Sequence, residues 1–324
     1  MQSTAVLAAS SWKKSPPSVN ADECHPFLLT RDIPMTGLLT EMTQTSLARL
    51  EQARAKESEQ ALWSRVSDLP PPPRLKLCPE SFDIIAECKL HSPSAGDLSG
   101  HTTGVEARVH SYAQGGACAV SVLTEPSRFG GKLEHLAQAA AILEPHKIPA
   151  MRKDFLVDPY QVMEARAAGA GGVLVIVRML DRSRITELLD CAAMLKMFVL
   201  LEAFDAMDLQ TAHDVLALRK AHDERILVGL NCRDLEKLTV ELGRLAELID
   251  QMPPGYAHVA ESGVGSLGDV RSVVDIGYQV ALVGTTLMNS DNPQKMLSSM
   301  LAAGRERAMA TRARQIRIAT GNDE

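Results

Sequence analysis

Charged side chains stand directly after short apolar runs in this chain of 324 residues. Glu87 and Lys89 follow one such run, Lys153 follows another, and Glu202 follows a third. A lysine held near a carboxylate can donate a proton, and a carboxylate can accept one, so these residue types are suited to general acid–base catalysis. Glu87 and Lys89 are two positions apart, so in a strand both side chains would point to the same side.

Apolar runs of this kind recur at about eight places along the chain. They end at Glu87, Thr124, Lys153, Arg178, Glu202, Asn231, Glu261 and Gly284. Stretches with helical spacing lie between the runs, as expected of βα units. The pattern predicts an α/β protein, a (β/α)₈ TIM barrel, with its chemistry at the carboxyl ends of the strands.

Four segments are predicted: a flexible tail at 1–34, a helical extension at 35–80, the catalytic barrel at 81–305 and a C-terminal tail at 306–324. The extension has helical spacing from about Gly37 to Val66, and Pro70-Pro71-Pro72-Pro73 cannot continue that helix. Helices are predicted within the barrel at Leu133–Leu143, Tyr160–Ala168, Arg184–Leu195, Ala206–Leu218, Leu242–Ile249 and Leu267–Val274.

Composition and short motifs exclude several function classes. A net charge of −6 argues against a general nucleic-acid surface, and the apolar stretches are too short to span a bilayer. The six cysteines include no C-x-x-C or metal-ligand spacing, the histidines form no H-E-x-x-H, and no dinucleotide, Walker or nucleophile-elbow motif occurs. The short apolar patch near Met1 lacks a basic stretch before it, so we expect a tail rather than a signal peptide and a cytoplasmic protein.

Further candidate residues follow other strands. Glu202 is a candidate base. Asn231 and Arg233 would share a side and offer an amide and a fixed cation to a hydroxyl, carboxylate or phosphate. Phe155 could pack against an aromatic substrate. The alternatives are an exposed ion pair for Glu87 and Lys89 and a surface basic pair at Lys153.

A phosphate site is predicted where the last two strands end. Ser262, Gly263, Gly284 and Thr285 are small, so backbone N–H groups can approach an anion there. Barrels often bind phosphate at this place. The alternative is a pair of glycine turns. Ser92 opens a polar loop after the first strand that could also reach a ligand.

These motifs, taken in order, resemble those of the indole-3-glycerol phosphate synthase family, from about Leu38 to Leu301. The motifs that carry the likeness are Ile85-Ala86-Glu87-Cys88-Lys89, Ser92-Pro93-Ser94, Ala119–Glu125 with Phe129-Gly130-Gly131, Arg152–Gln161, Glu164–Ala170, Gly229–Leu235, Ala260–Gly263 and Val283–Met288. The family converts 1-(2-carboxyphenylamino)-1-deoxyribulose 5-phosphate into indole-3-glycerol phosphate, carbon dioxide and water in tryptophan biosynthesis.

The resemblance implies a role for each matching residue. Lys153 would be the general acid of ring closure, Glu202 the base of the later dehydration, and Lys89 the partner of the substrate carboxylate and a proton donor in dehydration. Glu87, Asn231 and Glu261 would complete the catalytic set. The implied substrate-binding residues are Ser92, Phe129, Phe155, Arg233, Ser262, Gly263, Gly284 and Thr285.

The resemblance also implies that no metal or organic cofactor is needed. The expected partner is a small sugar-phosphate substrate rather than nucleic acid or membrane, and the chain would be a monomer or weak homodimer, possibly associated with other enzymes of the pathway. Leu90-His91 and Thr285 depart from the family pattern. Two alternatives stay open: a related sugar-phosphate barrel enzyme, such as a paralogue in a specialised pathway, and a non-catalytic phosphate-binding subunit.

Overall fold

Eight parallel strands close into a barrel in the computed structural model, which describes residues 37–89, 91–92, 96–97, 104–217, 219, 225–234 and 239–320. The barrel strands are β1 (Asp83–Cys88), β2 (Ala119–Leu123), β3 (Ala150–Lys153), β4 (Gly172–Ile176), β5 (Phe198–Ala203), β6 (Ile226–Asn231), β7 (Ala257–Glu261) and β8 (Val280–Val283). Each strand pairs with its neighbours in chain order, and β8 pairs with β1 to close the barrel. The predicted fold class is therefore confirmed.

The strands are buried along nearly their whole length because helices cover the outer face and side chains fill the interior. This burial explains why the strands read as continuous apolar runs rather than alternating ones. A short antiparallel pair, His91–Ser92 with Gly96–Asp97, follows β1.

Twelve helices surround or extend the barrel in the described residues. They are α1 (Leu38–Lys56), α2 (Glu59–Ser67), α3 (Gly104–Gly115), α4 (Pro126–Phe129), α5 (Leu133–Leu143), α6 (Pro159–Ala167), α7 (Arg182–Met194), α8 (Ala206–Ala217), α9 (Gly243–Leu248), α10 (Leu267–Ile276), α11 (Thr285–Met288) and α12 (Pro293–Thr320). Short 3₁₀ turns lie at Glu144–His146, Val177–Met179 and Ile249–Gln251. The six helices predicted within the barrel all begin and end within two residues of these bounds.

The N-terminal extension is two helices rather than one. Glu57 has an extended backbone, which ends α1, and the Ser58 side chain accepts a hydrogen bond from the Ala61 N–H to cap α2. Tyr160 of α6 holds the end of α1, because its hydroxyl donates to the Glu57 carbonyl at 2.8 Å and lies 3.1 Å from the Ala53 carbonyl oxygen. The extension is thereby fixed to the barrel near the end of β3.

The last helix, α12, continues to Thr320, so the predicted boundary at 305/306 falls inside it. The predicted tail at 1–34 lies outside the described residues, as do Leu90 and Cys24. The other five cysteines are free thiols. Among the described residues, no helix combines the length and apolar character needed to cross a membrane.

Candidate active site

A pocket of about 420 Å³ opens at the carboxyl ends of the barrel strands. Every barrel strand contributes to its wall or is followed directly by a residue that does. The predicted site residues that line it are Glu87, Lys89, Phe129, Lys153, Phe155, Glu202, Asn231, Arg233, Glu261, Ser262, Gly263, Gly284 and Thr285. Ser92 belongs to the short antiparallel pair, and its side chain lies outside the described part of the structure.

Lys153, the last residue of β3, lies between two buried carboxylates. Its Nζ is 3.8 Å from Glu202 Oε2 and 3.7 Å from Glu261 Oε2. The three side chains come from β3, β5 and β7, and they meet because the carboxyl ends of these strands surround one mouth. The Lys153 side chain is 15% exposed, whereas the two carboxylates are almost fully buried.

A chain of hydrogen bonds orients Glu202. Asn231 donates its side-chain N–H to Glu202 Oε1, and Asn231 Oδ1 accepts from the Ser262 hydroxyl at 2.8 Å. Asn231 Oδ1 also accepts from the backbone N–H of Arg233 at 3.0 Å. The amide orientation of Asn231 is thus fixed from both ends, and Glu202 keeps its other oxygen directed to Lys153.

Glu87 and Lys89 form an ion pair of 2.6 Å on the pocket wall. Both side chains are largely buried, at 6% and 12% exposed, so the exposed-pair alternative is wrong. Gly284 at the end of β8 makes room for them, because a methyl group in its place would lie 2.3 Å from Glu87 Oε1. A side chain at this position would displace the Glu87 carboxylate.

The surrounding charges set the protonation of Lys153 and Glu87. Burial alone would lower the pKa of Lys153, but the carboxylates of Glu202, Glu261 and Glu87 outweigh it and raise that pKa above its ordinary value. Burial would raise the pKa of Glu87, but Lys89 and Lys153 outweigh it, so that this pKa is lowered. An ammonium and a carboxylate therefore coexist in the pocket at neutral pH.

Glu261 has a different environment from Glu202. Neither of its side-chain oxygens has a hydrogen-bond partner, although both are buried. Burial and the nearby Glu202 carboxylate raise the pKa of Glu261 well above its ordinary value, despite the opposing charge of Lys153. Gly229 lies against it, since a methyl group there would be 2.0 Å from Glu261 Oε1. Burial without a hydrogen-bond donor thus favours the protonated form of Glu261.

Apolar side chains form the other wall of the pocket. The rings of Phe129 and Phe155 are tilted, with centroids 6.1 Å apart. Leu38 and Leu39, at the start of α1, also line this wall. Phe204 follows β5, and the Arg178 guanidinium lies 4.5 Å from its ring centroid. A flat aromatic group would be enclosed here.

Small residues form the end of the pocket near β7 and β8. Ser262 and Gly263 both have positive φ angles, of 69° and 76°. Thr285 begins α11 directly after Gly284. Small residues at this end of the pocket would let backbone N–H groups approach an anion.

Sequence patterns did not identify several lining residues. Leu123, Leu174, Ile176, Phe204, Val240 and the pair Leu38 and Leu39 line the pocket as well. Leu123 and Phe204 lie at strand ends, in the same position as the predicted polar residues, and this placement could have revealed them. Leu38 and Leu39 arrive from a distant helix, and no local pattern signals that contact.

In the described residues, no group of three or more histidine, cysteine, aspartate or glutamate side chains could hold a metal ion. The residue types that line the pocket are suited to proton transfer, through a lysine and its carboxylate neighbours, and to anion binding, through the cations of Lys89 and Arg233.

Known proteins match this chain over the barrel and part of the extension. The family model described as indole-3-glycerol phosphate synthase matches residues 39–300. An indole-3-glycerol phosphate synthase of Leifsonia xyli subsp. xyli is 39% identical over 257 residues, which cover 78% of this chain and 94% of that protein. Another, of Beutenbergia cavernae, is 39% identical over 232 residues, covering 71% and 81%.

Solved structures also share the fold. The 3-hexulose-6-phosphate synthase of Salmonella typhimurium has a TM-score of 0.52 with 13% identity, covering 70% of this chain and all of that one. At that identity the likeness supports only the barrel architecture. The family match and the relatives, together with the barrel, show that the chain belongs to the indole-3-glycerol phosphate synthase family.

Proposed function

We propose that this chain is a carboxy-lyase that converts 1-(2-carboxyphenylamino)-1-deoxyribulose 5-phosphate into indole-3-glycerol phosphate, carbon dioxide and water, with Lys153 as the general acid. The observation that carries the proposal is the position of Lys153 Nζ, within 3.8 Å of carboxylate oxygens of both Glu202 and Glu261. These residues line a pocket that has an aromatic wall and small residues at one end. The reaction belongs to tryptophan biosynthesis.

In the first step, the ring carbon that bears the carboxylate attacks the ketone carbon of the sugar. A carbon–carbon bond forms while Lys153 donates its proton to the carbonyl oxygen, which becomes a hydroxyl, and the nitrogen becomes an iminium. The raised pKa of Lys153 keeps it protonated for this task. Proton donation in the transition state is worth roughly 10²- to 10⁴-fold in rate.

In the second step, the bond between the ring and the carboxylate breaks. Carbon dioxide leaves, and the electron pair of that bond restores the aromatic ring and neutralises the iminium. Lys89 and Arg233 bind the carboxylate before this step, and the 2.6 Å contact with Glu87 holds Lys89 in place. Since the departing group is anionic until the bond breaks, its cationic partners bind substrate more strongly than product.

In the third step, the hydroxyl leaves as water with a proton from Lys89. Glu202 removes a proton from the carbon next to nitrogen, which completes the double bond of the indole. Asn231 occupies one oxygen of Glu202 and leaves the other facing the pocket, which supports this role. Glu87, Asn231 and Glu261 hold Lys153 and the sugar hydroxyls in position.

Phosphate binding by Ser92, Ser262, Gly263, Gly284 and Thr285 would hold the substrate at a distance from the reacting carbons. The open-chain sugar is flexible, and binding it at both ends brings the ring carbon toward the ketone. Phe129 and Phe155 enclose the aromatic ring, in agreement with the apolar wall.

The direct test is to mix the purified protein with the carboxyphenylamino substrate, without added metal, and follow indole fluorescence. A rise that matches the release of carbon dioxide is the expected result. Phosphate-ligand binding without product would contradict the proposal and favour either a different sugar-phosphate substrate or a non-catalytic subunit.

We also propose a cytoplasmic monomer or weak homodimer. Sedimentation of the purified chain at increasing concentration tests its oligomeric state, and a stable tetramer would contradict this part of the proposal.

A further inference from the structure

The carboxylate of Asp154, directly after Lys153, is enclosed by hydrogen-bond donors. Its side chain is fully buried, and it accepts five hydrogen bonds. The donors are Arg49 Nη1 and Nη2 at 2.9 and 2.8 Å, Thr124 Oγ1 at 2.7 Å, Arg152 Nη2 at 3.1 Å and the backbone N–H of Phe155 at 2.8 Å. So many partners leave Asp154 a single orientation.

Arg49 is the donor that comes from outside the barrel. It belongs to α1, lies 105 residues before Asp154 in the chain, and binds both carboxylate oxygens in the bidentate geometry that fixes direction as well as distance. Ser46, one turn earlier on α1, donates to the carbonyl oxygen of Phe155 at 2.5 Å. Helix α1 therefore holds both residues that follow Lys153.

The barrel alone supports this strand end on one side only. Lys153 pairs with Leu123 of β2, and its carbonyl accepts from the Thr124 N–H at 3.1 Å. On the other side, the pairing of β3 with β4 ends at Arg152, one residue before Lys153. The hydrogen bonds of Asp154 add support directly after Lys153, from Arg49 of α1 and from Thr124 next to β2.

The electrostatics of the cluster agree with this role. Burial would raise the pKa of Asp154, but its hydrogen bond with Arg49 and the charges of Arg152 and Arg49 hold that pKa well below its usual range. The carboxylate is therefore ionised at neutral pH. Removal of Arg49 would take away two of the five hydrogen bonds and one of the two cations that compensate this buried charge, which favours a local shift of the chain around Asp154.

We infer that Arg49 is a positioning residue for the proposed reaction: through Asp154 it holds the end of β3 so that Lys153 Nζ stays between Glu202 and Glu261. Arg49 itself does not line the pocket. The N-terminal extension thereby contributes to the chemical step as well as to the pocket wall. This inference rests on the proposed function, because it assigns a consequence to the placement of Lys153.

The test compares Arg49→Ala and Arg49→Lys with the matched control Arg54→Ala. Arg54 lies on the same helix and also pairs with a carboxylate of the barrel, Asp158 at 2.8 Å, but it does not contact the residues beside Lys153. A displacement of about 1 Å can cost about 100-fold in rate, so we expect kcat of Arg49→Ala to fall by about 10- to 100-fold with KM nearly unchanged. Arg49→Lys should recover part of kcat, and added methylguanidinium should partly restore Arg49→Ala.

Arg54→Ala should keep kcat within about twofold of the wild type, because the Lys153 end of β3 is untouched. An equal loss of kcat in this control would overturn the inference, since it would show that any weakening of α1 has the same effect. Unchanged kcat in Arg49→Ala, or a rise in KM alone, would also overturn it. Should Arg49→Ala not fold, Arg49→Lys decides, and wild-type kcat in that variant counts against the inference.

A second readout separates this inference from the proposed function. The signal of ¹³C-labelled Lys153 in the resting protein, assigned with Lys153→Met, should shift in Arg49→Ala and not in Arg54→Ala. Absence of turnover in the wild type, together with this shift in Arg49→Ala, would contradict the proposed function and support the positioning role. Normal turnover in the wild type, with no shift of the Lys153 signal in Arg49→Ala, would support the proposed function and contradict the positioning role.

Discussion

At the scale of single residues, the neighbours of Lys153 determine which chemistry it can perform. A lysine buried among apolar groups loses its proton readily, because desolvation disfavours the charge. Glu202 and Glu261 reverse that effect, and the pKa of Lys153 is raised. The arrangement suits a proton donor to a ketone oxygen, whereas a nucleophilic lysine would need the opposite shift.

The raised pKa predicts a specific pH dependence. Because Lys153 must be protonated to act, its contribution is present below its pKa and is lost only as the pH rises through that value. We expect no loss of kcat from this group below the ordinary lysine pKa of about 10.4. The measurement is kcat against pH, with circular dichroism as the control for unfolding. An alkaline fall near neutral pH in folded protein would assign the acid role to another group.

Sequence periodicity predicted part of this residue set and not the rest. Two-residue spacing correctly placed Glu87 with Lys89, because both lie at the end of one strand. The grouping of Lys153, Glu202 and Glu261 required the barrel, since each comes from a different strand. The unsatisfied oxygens of Glu261 depend on which donors surround it in space, and no motif encodes that.

At the scale of elements, helix α1 joins the extension to the active site. Its first turn supplies Leu38 and Leu39 to the pocket wall, and its middle supplies Ser46 and Arg49 to the residues after β3. The apolar spacing of this segment predicted a helix but not its docking place, because an apolar stripe does not specify its partner. The pairing of Arg49 with Asp154 across 105 residues is likewise invisible to local patterns.

The docking of α1 predicts different effects for two buried leucines. Leu39 is 6% exposed and lines the pocket, whereas Leu50 is 5% exposed and does not line it. Both changes to alanine remove buried volume and should cost about 2–5 kcal/mol of unfolding free energy. Only Leu39→Ala should also raise KM, because only Leu39 encloses the substrate. Denaturant unfolding and steady-state kinetics provide the two measurements, and an equal rise of KM in Leu50→Ala would contradict the assignment of Leu39 to the wall.

At the scale of the whole molecule, the closed barrel places catalysis at one end and structural packing at the other. The pairing of β8 with β1 removes every exposed barrel edge and brings the strand ends together around one mouth. At the opposite end, α12 crosses close to Phe82, just before β1. The run of apolar segments predicted the closed architecture, but the length of α12 was missed because the charged residues after 305 resemble a tail.

This separation predicts a change that weakens the fold without altering the chemistry. A methyl group at Gly304 of α12 would lie 2.2 Å from Phe82 Cδ1, whose side chain is fully buried. We expect Gly304→Ala to lower the unfolding free energy by about 1–3 kcal/mol, as overpacking does, with kcat unchanged. Gly268→Ala is the control, because its added methyl would meet only Ser266 Oγ at 3.4 Å. A lower kcat in folded Gly304→Ala would show that the two ends are coupled.

The most direct measurement is single-turnover formation of indole-3-glycerol phosphate by the wild type and Lys153→Met. Binding of an unreactive analogue, in which the ketone of the substrate is reduced to an alcohol, is measured in both. The account predicts a rapid fluorescence rise in the wild type and its loss, by about 10²- to 10⁴-fold or more, in the variant. The affinity for the analogue should change little, because the phosphate and aromatic contacts remain. Near-normal turnover by Lys153→Met would contradict the assignment of Lys153 as the acid that starts the reaction.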